Sequence, residues 1–436
     1  MKDTVKLVCK FAILWALLSI SSSSFAGQAA HASTVVVGSC EPSLTSFSTI
    51  QAAVNAAPAG STIDVCPGSY PEQVTISAKS LTLIGVLAGT SDAVVLVPPS
   101  GGLTTNATDI GGGAVAAQIF VENSTGVTIS HLTVDGNANA LLGCGTNLIG
   151  IYFKNSAGKI TDSVARNQIL DTSDQGCQVG LGIDVESDSG APAVSVSNNS
   201  VHNYQKNGIT ASGPGTGGGP AMAITSNTVI GIGATPVIAQ NGIQIGLGST
   251  GKVTSNTVAD DIYTGGNSAG AGILIHASTG ITVSGNSVES TQFGIATVTD
   301  PTYGPADNAT ISTNHIGGTQ NFDAIDLCSN GNTAVQNIIY GSMAQSGIHI
   351  DDECPGQGST PSGTNNIVKN NTINEPCAGL LLGSGAPNTT SPNTFFNVTY
   401  TALAGDSCVV ASAAAAGRLA GLAETRSALR PSPFKR

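Results

Sequence analysis

The chain has 436 residues, 55 Gly, one Trp, and a net charge of −12 from 15 Lys+Arg against 27 Asp+Glu. That charge excludes nucleic acid as a partner, because phosphate backbones demand a basic footprint. No apolar run is long enough to cross a bilayer as a helix, which excludes helical membrane insertion.

Residues 1–26 read as a secretory signal. Lys2, Lys6 and Lys10 give a basic start, residues 11–20 an apolar stretch, and Ser24-Phe25-Ala26 a cleavage site, with Ala30-His31-Ala32 as a later alternative. The mature protein is then secreted or periplasmic. Cleavage removes three Lys and one Asp, which takes the net charge to −14. Residues 411–436 are Ala-rich and basic and read as a C-terminal cap or tail. The body between is therefore strongly acidic, with Arg166 as its one Arg, read as solvated. Polyanionic glycans are disfavoured on such a body unless divalent cations bridge. After Cys9, eight cysteines remain, and an even count in an exported chain reads as disulfides. The expected pairs are Cys40–Cys66, Cys144–Cys177, Cys328–Cys354 and Cys377–Cys408.

Residues 48–57 predict a short helix, N-capped by Ser48 and stopped by Pro58 and Gly60. Its Ile50, Ala53, Val54 and Ala57 form one apolar stripe that would plug the end of a core. Strands follow near 62–66, 73–76 and 81–84, and residues 98–118 read as a long loop.

From Gly150 the chain repeats itself. Gly-Ile-x-aliphatic segments begin at Gly150, Gly182, Gly208, Gly242, Gly272, Gly294, Ala324, Gly347 and Gly379 (with Leu380 for Ile in the last), 22 to 34 residues apart. Between them recurs Asn-x-Val/Ile at Asn167, Asn199, Asn227, Asn256, Asn286, Asn314, Asn337 and Asn371. Short period-2 runs of Val, Ile and Thr broken by Gly, Asn and Ser are strand grammar. A fixed-register repeat of this length is a solenoid. The Gly is expected at a tight corner and the Asn in a left-handed corner conformation.

These repeats resemble the right-handed parallel β-helix, pectin-lyase-like superfamily, which includes pectate lyases, polygalacturonases, pectin methylesterases and NosD-like periplasmic proteins. The segment 47–84 is similar to the start of pectin methylesterases. The resemblance implies an all-β, right-handed single-stranded parallel β-helix of about ten to eleven coils. That domain would span 33–410 and carry an N-terminal capping helix within 47–60. It also implies a polysaccharide as the partner. The catalytic segments of those enzymes are absent, although Asp351-Asp352 echoes the polygalacturonase Asp-Asp pair.

Residues that follow each inward Ile should project outward and stack into one solvated column. Two polar clusters emerge. Asp326, His349 and Asp351 come from neighbouring coils, with His349 directly on Asp326 and Asp351 one diagonal step away, about 7–8 Å. That spacing is in the range of inverting glycosidases, about 6.5–9.5 Å. One aspartate would be the general acid, the other the base, with His349 tuning or binding. Asp184, Glu186 and Asp188, with Asp171 and Asp174 upstream, alternate along one strand and would take Ca²⁺ through oxygens if a metal is used; no cofactor is required. An acidic solvated ridge is the competing reading of both. The function expected is action on, or binding of, extracellular polysaccharide, glycoside-hydrolase-like. The alternative is a non-catalytic surface, adhesion or structural β-helix protein.

Overall fold

The structure, a computed structural model, describes residues 32–408 apart from 90–91, 216, 267, 320–321, 342–344, 353–361, 376 and 406. The expected signal and the Ala-rich segment 411–436 lie outside the described residues.

Three long sheets of 13, 12 and 13 strands stack their strands in parallel, save one short antiparallel strand at the side of the third, and each coil feeds all three. One coil runs Leu181–Glu186 in the third sheet, Ala193–Ser197 in the first and Ser200–Tyr204 in the second. It re-enters the third at Asn207–Ser212. This is the expected parallel β-helix with more rungs than ten to eleven. Some of the additional strands are terminal. Thr34–Val37, Thr394–Phe396 and Tyr400–Ala404 pair in parallel without carrying the repeat. Residues 98–118 are less irregular than expected, because Ala107–Thr108 pairs antiparallel with the strand Ala114–Glu122.

An inner column of Ile151, Ile183, Ile209, Ile243, Ile273, Ile295, Ile325 and Ile348 pairs rung on rung. All eight are buried in one continuous apolar core. A single coil could not bury this face; stacking does. The glycine before each isoleucine is not a corner residue. Gly208, Gly242 and Gly272 have no positive φ. A Cβ on them would meet Val229, Val258 and Val288 Cγ1 at 2.3, 2.3 and 2.4 Å. The repeat therefore keeps glycine where a core valine of the second sheet approaches the third.

The asparagines form a buried ladder. Asn199, Asn227, Asn256, Asn286, Asn314 and Asn337 each donate from Nδ2 to Oδ1 of the next Asn at 2.9–3.0 Å. The left-handed residue is the one before: Asn198, Ser226, Ser255, Thr313 and Gln336 have φ of 54–58°. The ladder Asn thus serves as a satisfied buried amide. Asn167 is not in the ladder. Ser163 holds that rung, with its backbone N–H donating to Asn199 Oδ1 at 3.0 Å.

Among the described residues there is one short α-helix, Ile50–Ala56. Its N-cap is Thr49, which accepts from Ala52 N, and not Ser48. Glu72 adds a carboxylate at the same end, accepting from Ile50 N at 2.8 Å and Gln51 N at 2.9 Å. Negative charge is favoured there by the helix dipole. Ile50, Ala53 and Val54 belong to the continuous core.

Disulfides join Cys40–Cys66, Cys144–Cys177 and Cys377–Cys408, with Cα separations of 5.7, 5.0 and 6.0 Å. The Cys328–Cys354 pairing falls on Cys354, outside the described residues. Arg166 is not simply solvated. On the outer face of the second sheet it binds Asp135 through Nε at 2.8 Å and Asp92 through Nη1 at 2.9 Å.

Candidate functional site

The outer face of the third sheet carries the expected column. Register aligns Tyr152, Asp184, Thr210, Gln244, Leu274, Ala296, Asp326, His349 and Leu381. Two residues further along each strand, a second column aligns Lys154, Glu186, Ser212, Gly246, His276, Val298 and Cys328.

The column is not the solvated ridge that alternation predicts. Asp184, Asp326 and His349 are 1%, 6% and 0% exposed. Stacked side chains at rung spacing cover one another, and chain from the corners covers them further. Ile110 N donates to Glu186 Oε2 at 2.9 Å, and Lys154 Nζ donates to Thr108 O at 2.7 Å. Tyr152 stacks on Phe120, ring centroids 5.3 Å apart.

At the downstream centre, Asp326 pairs directly with His349 across adjacent strands. His349 Nδ1 lies 3.2 Å from Asp323 Oδ2, and Ser346 Oγ donates to Asp323 Oδ1 at 2.8 Å. Asp323 escaped the sequence reading because strict alternation counts it inward. Yet Leu181 and Asn207, at the same place in earlier repeats, line the outer groove. One carboxylate oxygen of Asp351 is within 4.8 Å of one on Asp326. This is shorter than the diagonal step predicts, while the ladder continues past the strand end through Asp351 N to Leu327 O at 3.3 Å.

Asp323, Asp326 and His349 present three possible ligand atoms within 4.8 Å of one another. Imidazole among the donors suits a transition metal better than Ca²⁺, which prefers oxygen. Cys328 also lies near Asp326 and Asp351, but as a disulfide cysteine it offers no thiolate. The upstream trio expected to hold Ca²⁺ is dispersed. Asp184 and Glu186 are buried, while Asp188 is exposed past the strand end. Glu186 Oε2 already accepts from Tyr152 Oη at 2.7 Å. Of the two further carboxylates upstream, Asp171 is exposed, and Asp174 accepts from Gly143 N.

Upstream, the column floors a polar groove whose lining includes Asp109, Asp184, Glu186, Lys206, Gln244 and Tyr303. Burial, then the charges of Glu186 and Asp184, push the Tyr152 hydroxyl far above its usual range. Burial lowers Lys206 to about 8, against the opposing pull of Asp261. Lys206 Nζ donates to Ala239 O at 2.7 Å. Burial also pushes Asp261 well above its usual range, against the hydrogen bond that Tyr204 Oη donates to its Oδ1 at 2.6 Å.

His276 lines the same groove. Its Nε2 is 3.1 Å from Asp300 Oδ2. Burial lowers its pKa and outweighs the attraction of Asp300. The ring is therefore neutral at pH 7, and Nε2–H donates to the carboxylate. Asp184 and Asp326 are five rungs apart, about 24 Å, so the groove and the downstream centre are separate places on one face.

A model of the right-handed β-helix region matches residues 215–396. Among solved structures, the Dettilon tailspike protein (gp208) aligns with a TM-score of 0.54 and 15% identity, over 80% of this chain and 63% of that one. The A-module of mannuronan C-5 epimerase AlgE4 from Azotobacter vinelandii aligns with a TM-score of 0.49 and 14% identity, over 83% of this chain and 95% of that one. The surface adhesin PfbA of Streptococcus pneumoniae gives a TM-score of 0.47 and 13% identity, over 81% and 86%. No curated protein matches the sequence. The likeness to the tailspike protein, at 15% identity, shows the fold alone, and this fold hosts unrelated functions.

Proposed function

We propose that this chain, whose residues 215–396 match a model of the right-handed β-helix region, is a secreted or periplasmic protein that takes a polysaccharide along the outer face of the third sheet. It hydrolyses the chain at Asp326 and Asp351. The observation that carries the reading is the carboxylate pair, with oxygens within 4.8 Å of each other and Asp326 on the column that floors the polar groove upstream. A repeating glycan is matched by a repeating column of side chains, one rung after another.

The pair supports a double displacement. Carboxylate oxygens within 4.8 Å of each other fit the closer spacing of retaining enzymes, about 5–5.5 Å, and not the wider inverting arrangement, about 6.5–9.5 Å. One carboxylate attacks the anomeric carbon while the other, protonated, gives its proton to the departing oxygen. Water then cleaves the glycosyl ester, returning its proton to the second carboxylate. His349, opposite Asp326 and held by Asp323, fixes the charge and orientation beside the pair.

The test is reducing-end release over a panel of neutral, amino and acidic polysaccharides, with Ca²⁺ and with chelator. Wild type should release reducing ends with retained anomeric configuration, and Asp326→Asn and Asp351→Asn should not. Unsaturated products would assign a lyase instead. Binding without turnover by wild type would favour the non-catalytic surface protein.

A further inference from the structure

The groove upstream of the carboxylate pair is a site in its own right. We propose that it is a binding subsite for a protonated amino-sugar unit of the glycan. This rests on the reading that the outer face of the third sheet takes a glycan.

The floor is anionic and fixed in place. Asp184 and Glu186 stand on adjacent columns of one strand, and the groove also includes Asp109. Glu186 is held by Tyr152 Oη and by Ile110 N at 2.7 and 2.9 Å. Lys206 is the one Lys or Arg in the lining, and its Nζ is directed to Ala239 O. A uronate carboxylate entering here would meet like charge in a partly desolvated groove, whereas a protonated amine would meet its complement.

The remaining lining suits a sugar. Asn207 Nδ2 donates to Thr210 Oγ1 and Gln244 Oε1, both at 3.1 Å. Such amides and hydroxyls can exchange hydrogen bonds with ring hydroxyls. Tyr303 is half-buried at the groove and gives a flat aromatic face with a polar tip, suited to the C–H face of a pyranose. It is held there by its own turn. Asp300 Oδ1 accepts from Thr302 N at 2.7 Å and Tyr303 N at 2.9 Å, while Asp300 Oδ2 takes the His276 hydrogen bond at 3.1 Å.

Calorimetric titration of the full chain with three probes tests this: a glucosamine oligosaccharide, its N-acetylated form and an oligouronate. The glucosamine form should bind at least about tenfold more tightly than the acetylated form, and the oligouronate should not bind. Asp184→Asn and Glu186→Gln should each weaken the glucosamine form by about tenfold or more and leave the acetylated form within about twofold. Tyr303→Ala should weaken both. Circular dichroism melts of each variant separate a lost contact from a lost fold. Equal affinity for the amino and acetylated forms, unchanged in both carboxylate variants, would overturn the subsite while leaving the glycan reading intact. Absence of binding by any oligosaccharide would overturn the glycan reading itself.

Discussion

His349 Nδ1 lies 3.2 Å from Asp323 Oδ2, and neither side chain is exposed to solvent. The two residues are on adjacent strands of the third sheet, Asp323–Cys328 and Ser346–Ile350. Ser346 Oγ donates to the other carboxylate oxygen, at 2.8 Å, so Asp323 is held from both sides. A carboxylate on Nδ1 selects the tautomer and the ring orientation, and so decides which nitrogen faces the Asp326 rung. Asp323 is therefore a positioning residue.

Asp323→Asn keeps the shape and removes the charge. A hydrogen bond to a charged partner contributes about 1.5–3 kcal/mol, so a urea melt at pH 7 should show a loss of that order. The imidazole nitrogen NMR shifts of His349 should move toward the other tautomer, and the pH profile of glycan hydrolysis should change with them. Unaltered nitrogen shifts would rule out the positioning role, whatever the melt shows.

The ladder makes a second expectation. Asn256 Oδ1 accepts from both Asn227 N and Asn227 Nδ2 at 2.9 Å, and its own Nδ2 donates to Ile224 O at 3.1 Å. Asn256→Ala leaves those buried groups short of a partner, at about 1–3 kcal/mol for each one unsatisfied. Denaturant midpoints should show that loss. An exposed-face control, Thr257→Ala, should stay within about 0.5 kcal/mol.

Packing at the repeat glycine makes a third. A Cβ at position 208 would sit 2.3 Å from Val229 Cγ1 and 2.6 Å from Gly242 O. Gly208→Ala should cost about 1–3 kcal/mol by overpacking. Val229→Ala in the same chain should recover part of it, and the backbone clash should keep recovery incomplete. Full tolerance of Gly208→Ala in a thermal melt would show that the glycine is not a packing requirement.

Acid should loosen the Tyr303 turn. Burial lowers the folded-state pKa of His276 below its ordinary value, despite Asp300. As pH falls through about 6.5 the unfolded chain takes up the proton first, so stability is present above that pH and declines below it. His276→Gln removes the titration while keeping a donor. The slope of stability against pH between about 7 and 5 should be shallower in the variant, and amide exchange at Thr302 and Tyr303 should lose its pH dependence.

The sequence by itself determined the solenoid and its register. Apolar residues at period 2, repeated with glycine and asparagine at fixed places, admit little besides stacked parallel coils. That register correctly set Asp326 opposite His349 and Asp184 beside Tyr152. It also paired Cys144 with Cys177; the expected Cys40–Cys66 and Cys377–Cys408 bridges form as well. Only the tertiary structure decided what lies over the outer column. Alternation says which way a side chain points, but burial depends on distant chain such as Ile110 and Asp300 arriving from corner insertions of no fixed length. Asp323 was illegible because alternation counts it inward, and Asp188 was misplaced because its strand ends at Glu186. The role of glycine was decided there too, since its partner Val229 is 21 residues away in sequence and meets Gly208 only once the coil has closed.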